Sequence, residues 1–181
     1  MPCPLLLLLV GLVLGAVVAV LVLAARQPTH LAIVRKATFA APPEAVYAEV
    51  ASPRRWHAWS PWAEMDPSAQ TTYSGPEEGL DAAMAWEGKK SGVGKMTVVE
   101  AIPASRLRFR LDFEKPFKAT HYAEFTFRPE GGTTHVTWSM ESGSACPLIG
   151  KVVGLLLNCP SMCAAQFDRG FVRLRDVVEK A

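Results

Sequence analysis

The chain has 181 residues, 50% of them hydrophobic and 20% charged, with a net charge of +2. That length holds one ordinary globular domain and excludes two full ones. The charge is spread without a basic block, which leaves no electrostatic footprint for nucleic acid.

The apolar content is unevenly placed. Residues 1–25 contain no Asp, Glu, Lys, Arg or His, so the remainder carries all 19 basic and 17 acidic side chains. Leu5 to Ala25 is an unbroken run of Leu, Val, Ala and Gly. As a helix it extends about 31 Å, matching a hydrocarbon core of about 30 Å. The rival reading is a cleaved signal peptide, with Val22-Leu23-Ala24 as its cleavage site. No Lys or Arg precedes the run, however, and it exceeds the roughly 7–15 residues of a signal h-region. The sequence therefore predicts a transmembrane helix and linker over residues 1–30, with the membrane contact in residues 5–25, and a soluble domain over 31–181. Arg26, Arg35 and Lys36 follow the segment. The positive-inside bias then predicts a single-pass protein with a short external N-terminus and a cytoplasmic domain.

Leu31 to Ala40 reads as a strand, with Leu31, Ile33, Ala37 and Phe39 on one face. Pro42-Pro43 ends it, and Pro43 suits the first turn of a helix through Ala45, Val46 and Val50. Arg54 to Trp59 is a second short helical or irregular piece before Ser60-Pro61-Trp62 forces a turn. From about residue 70, strands alternate with Gly-containing turns: 70–74, 82–87, 95–102, 106–113, the segment beginning near Thr120, and the segment through Val136 and Met140. In the clearest of them, Leu107, Phe109, Leu111 and Phe113 alternate with Arg106, Arg108, Arg110 and Asp112, giving one buried and one wet side. Short connections make the sheet antiparallel. Leu148–Leu157 is a short apolar piece, broken by Cys159-Pro160. Ser161 to Lys180 then carries Cys163, Phe167, Phe171, Leu174 and Val178 at spacings of 4, 4, 3 and 4, an amphipathic helix. The fold class is α+β: one curved antiparallel sheet wrapped around a long C-terminal helix.

Of the cysteines, Cys3, Cys146, Cys159 and Cys163, the last two stand four apart. A metal half-site is conceivable there, but no second Cys/His pair has matching spacing, and buried small hydrophobes are the simpler reading. Neither a disulfide framework nor a cofactor motif is indicated.

Specific stretches connect this order to a family. They include Ala41-Pro42-Pro43-Glu44-Ala45-Val46-Tyr47, Trp56-His57-Ala58-Trp59-Ser60-Pro61-Trp62, Tyr73-Ser74-Gly75-Pro76-Glu77-Glu78-Gly79 and Trp86-Glu87-Gly88. Further on come Lys115-Pro116-Phe117, Gly131-Gly132-Thr133 and Val136-Thr137-Trp138-Ser139-Met140. Over roughly residues 31–180 the chain resembles the helix-grip domains of the SRPBCC superfamily, the START-like and polyketide cyclase-like group. The similarity is greatest to a bacterial branch with an N-terminal membrane helix, which implies the bacterial inner membrane. It also implies a cavity between the sheet and the last helix for an apolar or amphipathic ligand. The ligand contacts expected there are Trp86, Met96, Phe109, Phe125, Trp138, Met162 and Phe167. The stretch Asn158-Cys159-Pro160-Ser161-Met162-Cys163 departs from the acidic, Met-rich pattern usual before that helix.

Trp56, Trp59 and Trp62 crowd into seven residues and read as a wall or lid for a flat ligand, as an interfacial belt near the bilayer, or as filling beneath a loop. His121 shares a face with Ala123, Phe125 and Phe127, where a histidine suits general acid or base work or simply sits at the mouth. Glu100 shares the parity of Met96 and Val98, unless a bulge turns it outward. Arg35 has inward parity and suits an anionic head group, or else snorkels to water. Arg106, Arg108 and Arg110 form a solvated row that can also touch anionic lipid. The leading expectation is a membrane-anchored binding module for a hydrophobic small molecule or lipid. The alternatives are a cyclase, dehydratase or hydrolase using His121 and Glu100 in one pocket, and a protein-binding adaptor with a closed core.

Overall fold

The computed structural model describes residues 4–27, 32–143, 148–157 and 159–180. Leu31, Cys3 and Cys146 lie outside these residues, as does the side chain of Cys159. The first element, α1 (Pro4–Arg26), is apolar on every side and exposed, with Leu8 at 62% and Leu12 at 63%. A helix apolar all round needs an apolar surrounding. Residues Leu7–Arg26 are long and apolar enough to cross a bilayer, and by length and composition alone they also fit a signal sequence.

The domain proper begins with β1 (Ala32–Phe39), followed by α2 (Pro43–Ala51) and two short helices, α3 (Trp56–Trp59) and α4 (Pro61–Met65). Pro43 and Pro61 both open their helices, where a missing N–H costs nothing. Six strands then follow one another: β2 (Gln70–Ser74), β3 (Ala83–Gly88), β4 (Gly92–Ile102), β5 (Arg106–Lys115), β6 (Ala119–Glu130) and β7 (Thr133–Ser142). They form a meander closed by β1, in the order β1-β7-β6-β5-β4-β3-β2, every neighbour antiparallel. The β6–β7 connection is a two-residue hairpin with Gly131 at φ 55° and Gly132 at φ 84°, a turn that needs two left-handed residues.

Two helices complete the chain, α5 (Leu148–Leu157) and α6 (Cys159–Val178). The expected break at Cys159-Pro160 is instead the start of α6, since Pro160 falls in its first turn. Ala164, Phe167, Gly170, Phe171 and Leu174 are buried along one side of α6. Asp168 pairs with Arg35 of β1 at 3.3 Å, and Arg173 with Glu64 of α4 at 3.0 Å. The Ala40 amide donates to Glu179 at 2.8 Å, and Arg175 donates to the Thr38 carbonyl at 3.0 Å. Both flanks of the helix are therefore tied to the strand and the loops beside it. At the other end, α1 lies against α5, where Lys151 donates to the Gln27 carbonyl at 3.0 Å.

Inward parity holds for Met96 and Val98 of β4 and then fails. The pairing passes from Val98↔Phe109 to Glu100↔Arg108, so Val99 is an extra residue in a bulge. Glu100 is thereby carried to the outer face, where it meets Arg106 at 3.4 Å. The basic row is also resolved. Arg106 pairs with Glu124 at 2.7 Å, Arg108 with Glu141 at 2.8 Å and Arg110 with Asp112 at 2.9 Å, so these arginines form a ladder with carboxylates rather than a free lipid-facing patch. Arg35 likewise pairs with a carboxylate, Asp168.

Candidate functional site

Between the sheet and α6 the side chains leave little room. Trp138 is stacked on Phe167 with ring centres 3.9 Å apart and planes 7° apart, and on Phe125 at 4.7 Å. Trp56 meets Phe109 edge-on at 5.3 Å, and Trp62 meets Trp138 at 5.7 Å. Gly170 allows α6 to come this close, because a Cβ there would lie 2.8 Å from the Trp138 ring and 3.4 Å from Pro61. Phe109, Phe125, Trp138 and Phe167 are each 1% exposed or less. The volume that the resemblance places under the last helix is occupied here by aromatic rings.

A cavity of about 270 Å3 lies to one side, between the α3–α4 segment and the β2–β3 edge of the sheet. Trp56, Trp62 and Met65 form the helical wall. Met84, Trp86 and Phe113 form the strand wall, and His57, Ser60, Tyr73, Lys90 and Ser91 supply polar groups. Of the expected ligand contacts, Trp86 lines this cavity. Met96, Phe109, Phe125, Trp138 and Phe167 lie in the closed core beside it, and Met162 is 61% exposed on α6.

The tryptophan cluster divides between two of its readings. The Trp56 and Trp59 indoles are buried and donate to the Val50 and Glu49 carbonyls at 2.7 and 3.2 Å, so they fill and pin the loop. Trp62 is half-buried and, with one side of Trp56, faces the cavity. An adaptor surface of exposed indoles is not what this loop presents.

The strand wall depends on a group that composition did not single out. Asp66 is 4% exposed and ends α4. One carboxylate oxygen accepts the amides of Lys90 and Ser91 at 2.8 and 3.0 Å and the Ser91 hydroxyl at 3.0 Å, and the other accepts the Ser68 hydroxyl at 3.0 Å. These hydrogen bonds, the Ser91 amide foremost, hold its carboxyl well below the usual carboxylate range. The turn so fixed offers the Ser91 carbonyl to the Trp86 indole N–H at 3.2 Å. Gly88 is required beneath, since any Cβ would overlap the Asp66 carboxylate and the Ser91 hydroxyl. The local signal was present in Asp66-Pro67-Ser68, an Asx-turn pattern.

His121 sits behind the strand wall, its ring edge-on to Phe113 at 5.5 Å. Its Nδ1 is buried, with no hydrogen-bond partner among the described residues. Burial pushes the imidazole below its ordinary value, partly opposed by the Glu141 backbone carbonyl. Its cross-strand neighbour is Leu111, whereas Glu100 faces Arg108 and Arg106 on the opposite side of the sheet. The two do not converge on one ligand atom, which removes the acid–base pair. Among the described residues no group of three His, Cys, Asp or Glu side chains is placed to hold a metal ion. Cys163 packs half-buried against the core.

Fold and cavity together define the class: a helix-grip domain with an aromatic-walled cavity at one end of its sheet. The sequence profile described as polyketide cyclase / dehydrase and lipid transport matches residues 30–179, and the chain belongs to that family. Among solved structures it is similar to protein CV1439 from Chromobacterium violaceum, with 17% identity, 84% of this chain and 99% of that one covered, and a TM-score of 0.58. It is also similar to protein MLL2253 from Mesorhizobium loti, with 15% identity, 83% and 98% covered, and a TM-score of 0.59. DynU16, from the dynemicin biosynthetic locus, shares 18% identity over 82% of this chain and 47% of its own, with a TM-score of 0.54. At these identities the likeness is one of fold. No curated protein matches the sequence.

Proposed function

We propose that the protein is a membrane-anchored binding module for a hydrophobic small molecule or a lipid segment, held in the cavity between α3–α4 and the β2–β3 edge. The supporting observation is the cavity's make-up: about 270 Å3, walled by Trp56, Trp62, Trp86, Phe113, Met65 and Met84, with a few polar groups at its rim. Ligand sites have this composition, apolar walls with sparse polar groups that orient the occupant. The volume suits a ring system or one stretch of acyl chain rather than a whole two-chain lipid. Burying about 200 Å2 of apolar ligand surface contributes roughly 5 kcal/mol before ordering costs. The length and all-round apolarity of α1 support the anchor, and the tether keeps the cavity near the phase in which such ligands concentrate. The outward turn of Glu100 leaves binding, rather than acid–base catalysis by that pair, as the favoured reading.

The test is saturable uptake of an environment-sensitive apolar dye by the full chain, together with native mass spectrometry of any retained ligand. Replacing Ala63, a cavity-wall residue, by Phe fills the space from within. Uptake by the wild type and its loss in Ala63→Phe are expected. Equal dye signals from the two proteins, with no retained ligand in either, would overturn the reading.

A further inference from the structure

The two ends of the sheet differ in charge. At one end lie the β4–β5 turn, Pro103-Ala104-Ser105, which carries no charge, and the β6–β7 turn, which carries Glu130. At the other end lie the β3–β4 turn with Lys89 and Lys90 and the β5–β6 turn with Lys115 and Lys118. All four lysines are exposed, and among the described residues none has a carboxylate partner. Arg106, Arg108 and Arg110 of the outer face, by contrast, are matched with acids. Glu87 and Glu114 stand one step back on the strands. Between Lys115 and Lys118 projects Phe117, at 68% the most exposed large apolar side chain among the described residues.

This is also the tethered end. β1 starts here, Ala32 pairing with Glu141 near the end of β7. The five residue steps from Gln27 to Ala32 span at most about 18 Å. The Gln27 carbonyl is in turn held by Lys151 of α5. The cavity lies toward the same end, with Lys90, Ser91, Trp86 and Phe113 in its lining.

We infer that the β3–β4 and β5–β6 turns form a docking surface for the anionic headgroups of the bilayer that α1 spans. The inference rests on the anchor proposed above and adds the chemistry of the surface the domain meets. Unpaired ammonium groups beside a short tether lie within reach of headgroup phosphates, and an exposed Phe between them enters the interfacial layer. Docking brings the Lys90–Ser91 side of the cavity toward the membrane. Each lysine contributes about fivefold to the docked fraction near an anionic surface, so four together contribute more than about a hundredfold.

The test uses the full chain in lipid nanodiscs, either phosphatidylcholine alone or with about one-third phosphatidylglycerol, read by hydrogen–deuterium exchange. Slower exchange at residues 88–92 and 114–119 in the anionic discs is expected, with residues 130–133 unchanged. The protection should vanish at about 0.5 M salt, which shortens the screening length to a few ångströms. It should also vanish in the variant K89E/K90E/K115E/K118E, whose core exchange reports that it still folds. Equal exchange of both turns in the two disc types, or protection that survives the four-lysine reversal, would overturn the docking surface. Insertion of α1 is scored separately, by resistance to alkaline carbonate extraction. A chain that inserts but shows no turn protection refutes the docking surface while leaving the anchor intact.

Discussion

Replacing Gly170 by Ala decides whether the space under α6 is filled. Helix propensity alone makes the change favourable by about 1 kcal/mol, because Gly170 lies well inside α6. Packing acts in the other direction. The added Cβ lies 2.8 Å from the Trp138 ring, which cannot withdraw because Phe167 stacks on it at 3.9 Å and Phe125 at 4.7 Å. Pro61, 3.4 Å from the same Cβ, blocks the other direction. Overpacking of this kind costs about 1–3 kcal/mol, enough to cancel the propensity gain and leave a net loss of about 1 kcal/mol. For a domain of this size that lowers Tm by about 2–4 °C. Urea titration at constant m-value, followed by tryptophan fluorescence, measures it. A variant as stable as the wild type, or more so, would refute the filled interior and restore the space beneath α6 as a ligand site.

Three further outcomes follow from local geometry. Ala104, at φ 53° in the β4–β5 turn, is a non-glycine residue in the left-handed region; Ala104→Gly should raise stability by about 0.5–1 kcal/mol in denaturant titration. Acidification should act in two stages. The unfolded chain protonates His121 near 6.5, before the folded chain does, so stability declines as pH falls below that value, and His121→Phe should remove this stage from a series of thermal melts. Asp66 behaves in the same sense lower down. Its contribution is complete above about pH 4 and is lost as pH falls through its depressed value, and Asp66→Asn should flatten that limb. Trp86→Ala should weaken dye uptake about tenfold or more through the lost aromatic wall, whereas Met162→Ala on the exposed side of α6 should leave it unchanged.

The strand pattern was legible because period two records which side chains face inward, and the stripe of Phe167, Phe171 and Leu174 marked the buried side of α6. Periodicity fails where one residue is inserted, as at Val99, and it then assigns Glu100 to the wrong face. It also identifies inward residues without stating whether they surround a space or fill it. Phe125, Trp138 and Phe167 were expected to line a ligand and instead occupy the volume themselves. Met162 falls outside the buried stripe of its own helix. The cavity depends on contacts between segments far apart in sequence, such as Asp66 with Lys90 and Ser91, which no local pattern records.

Gly94 on β4 is the cross-strand partner of Trp86, and a Cβ there would overlap the indole ring. The cavity wall therefore lies flat only because its neighbour has no side chain. A Cβ at 94 would press on both the indole and the Asp112 backbone carbonyl, 2.8 Å away, so this wall is shaped from a position that does not itself line the cavity. For the proposed binding role, the shape of the pocket is thus set partly by the side chain that is missing from the strand behind it, on β4, and not only by the side chains that line it.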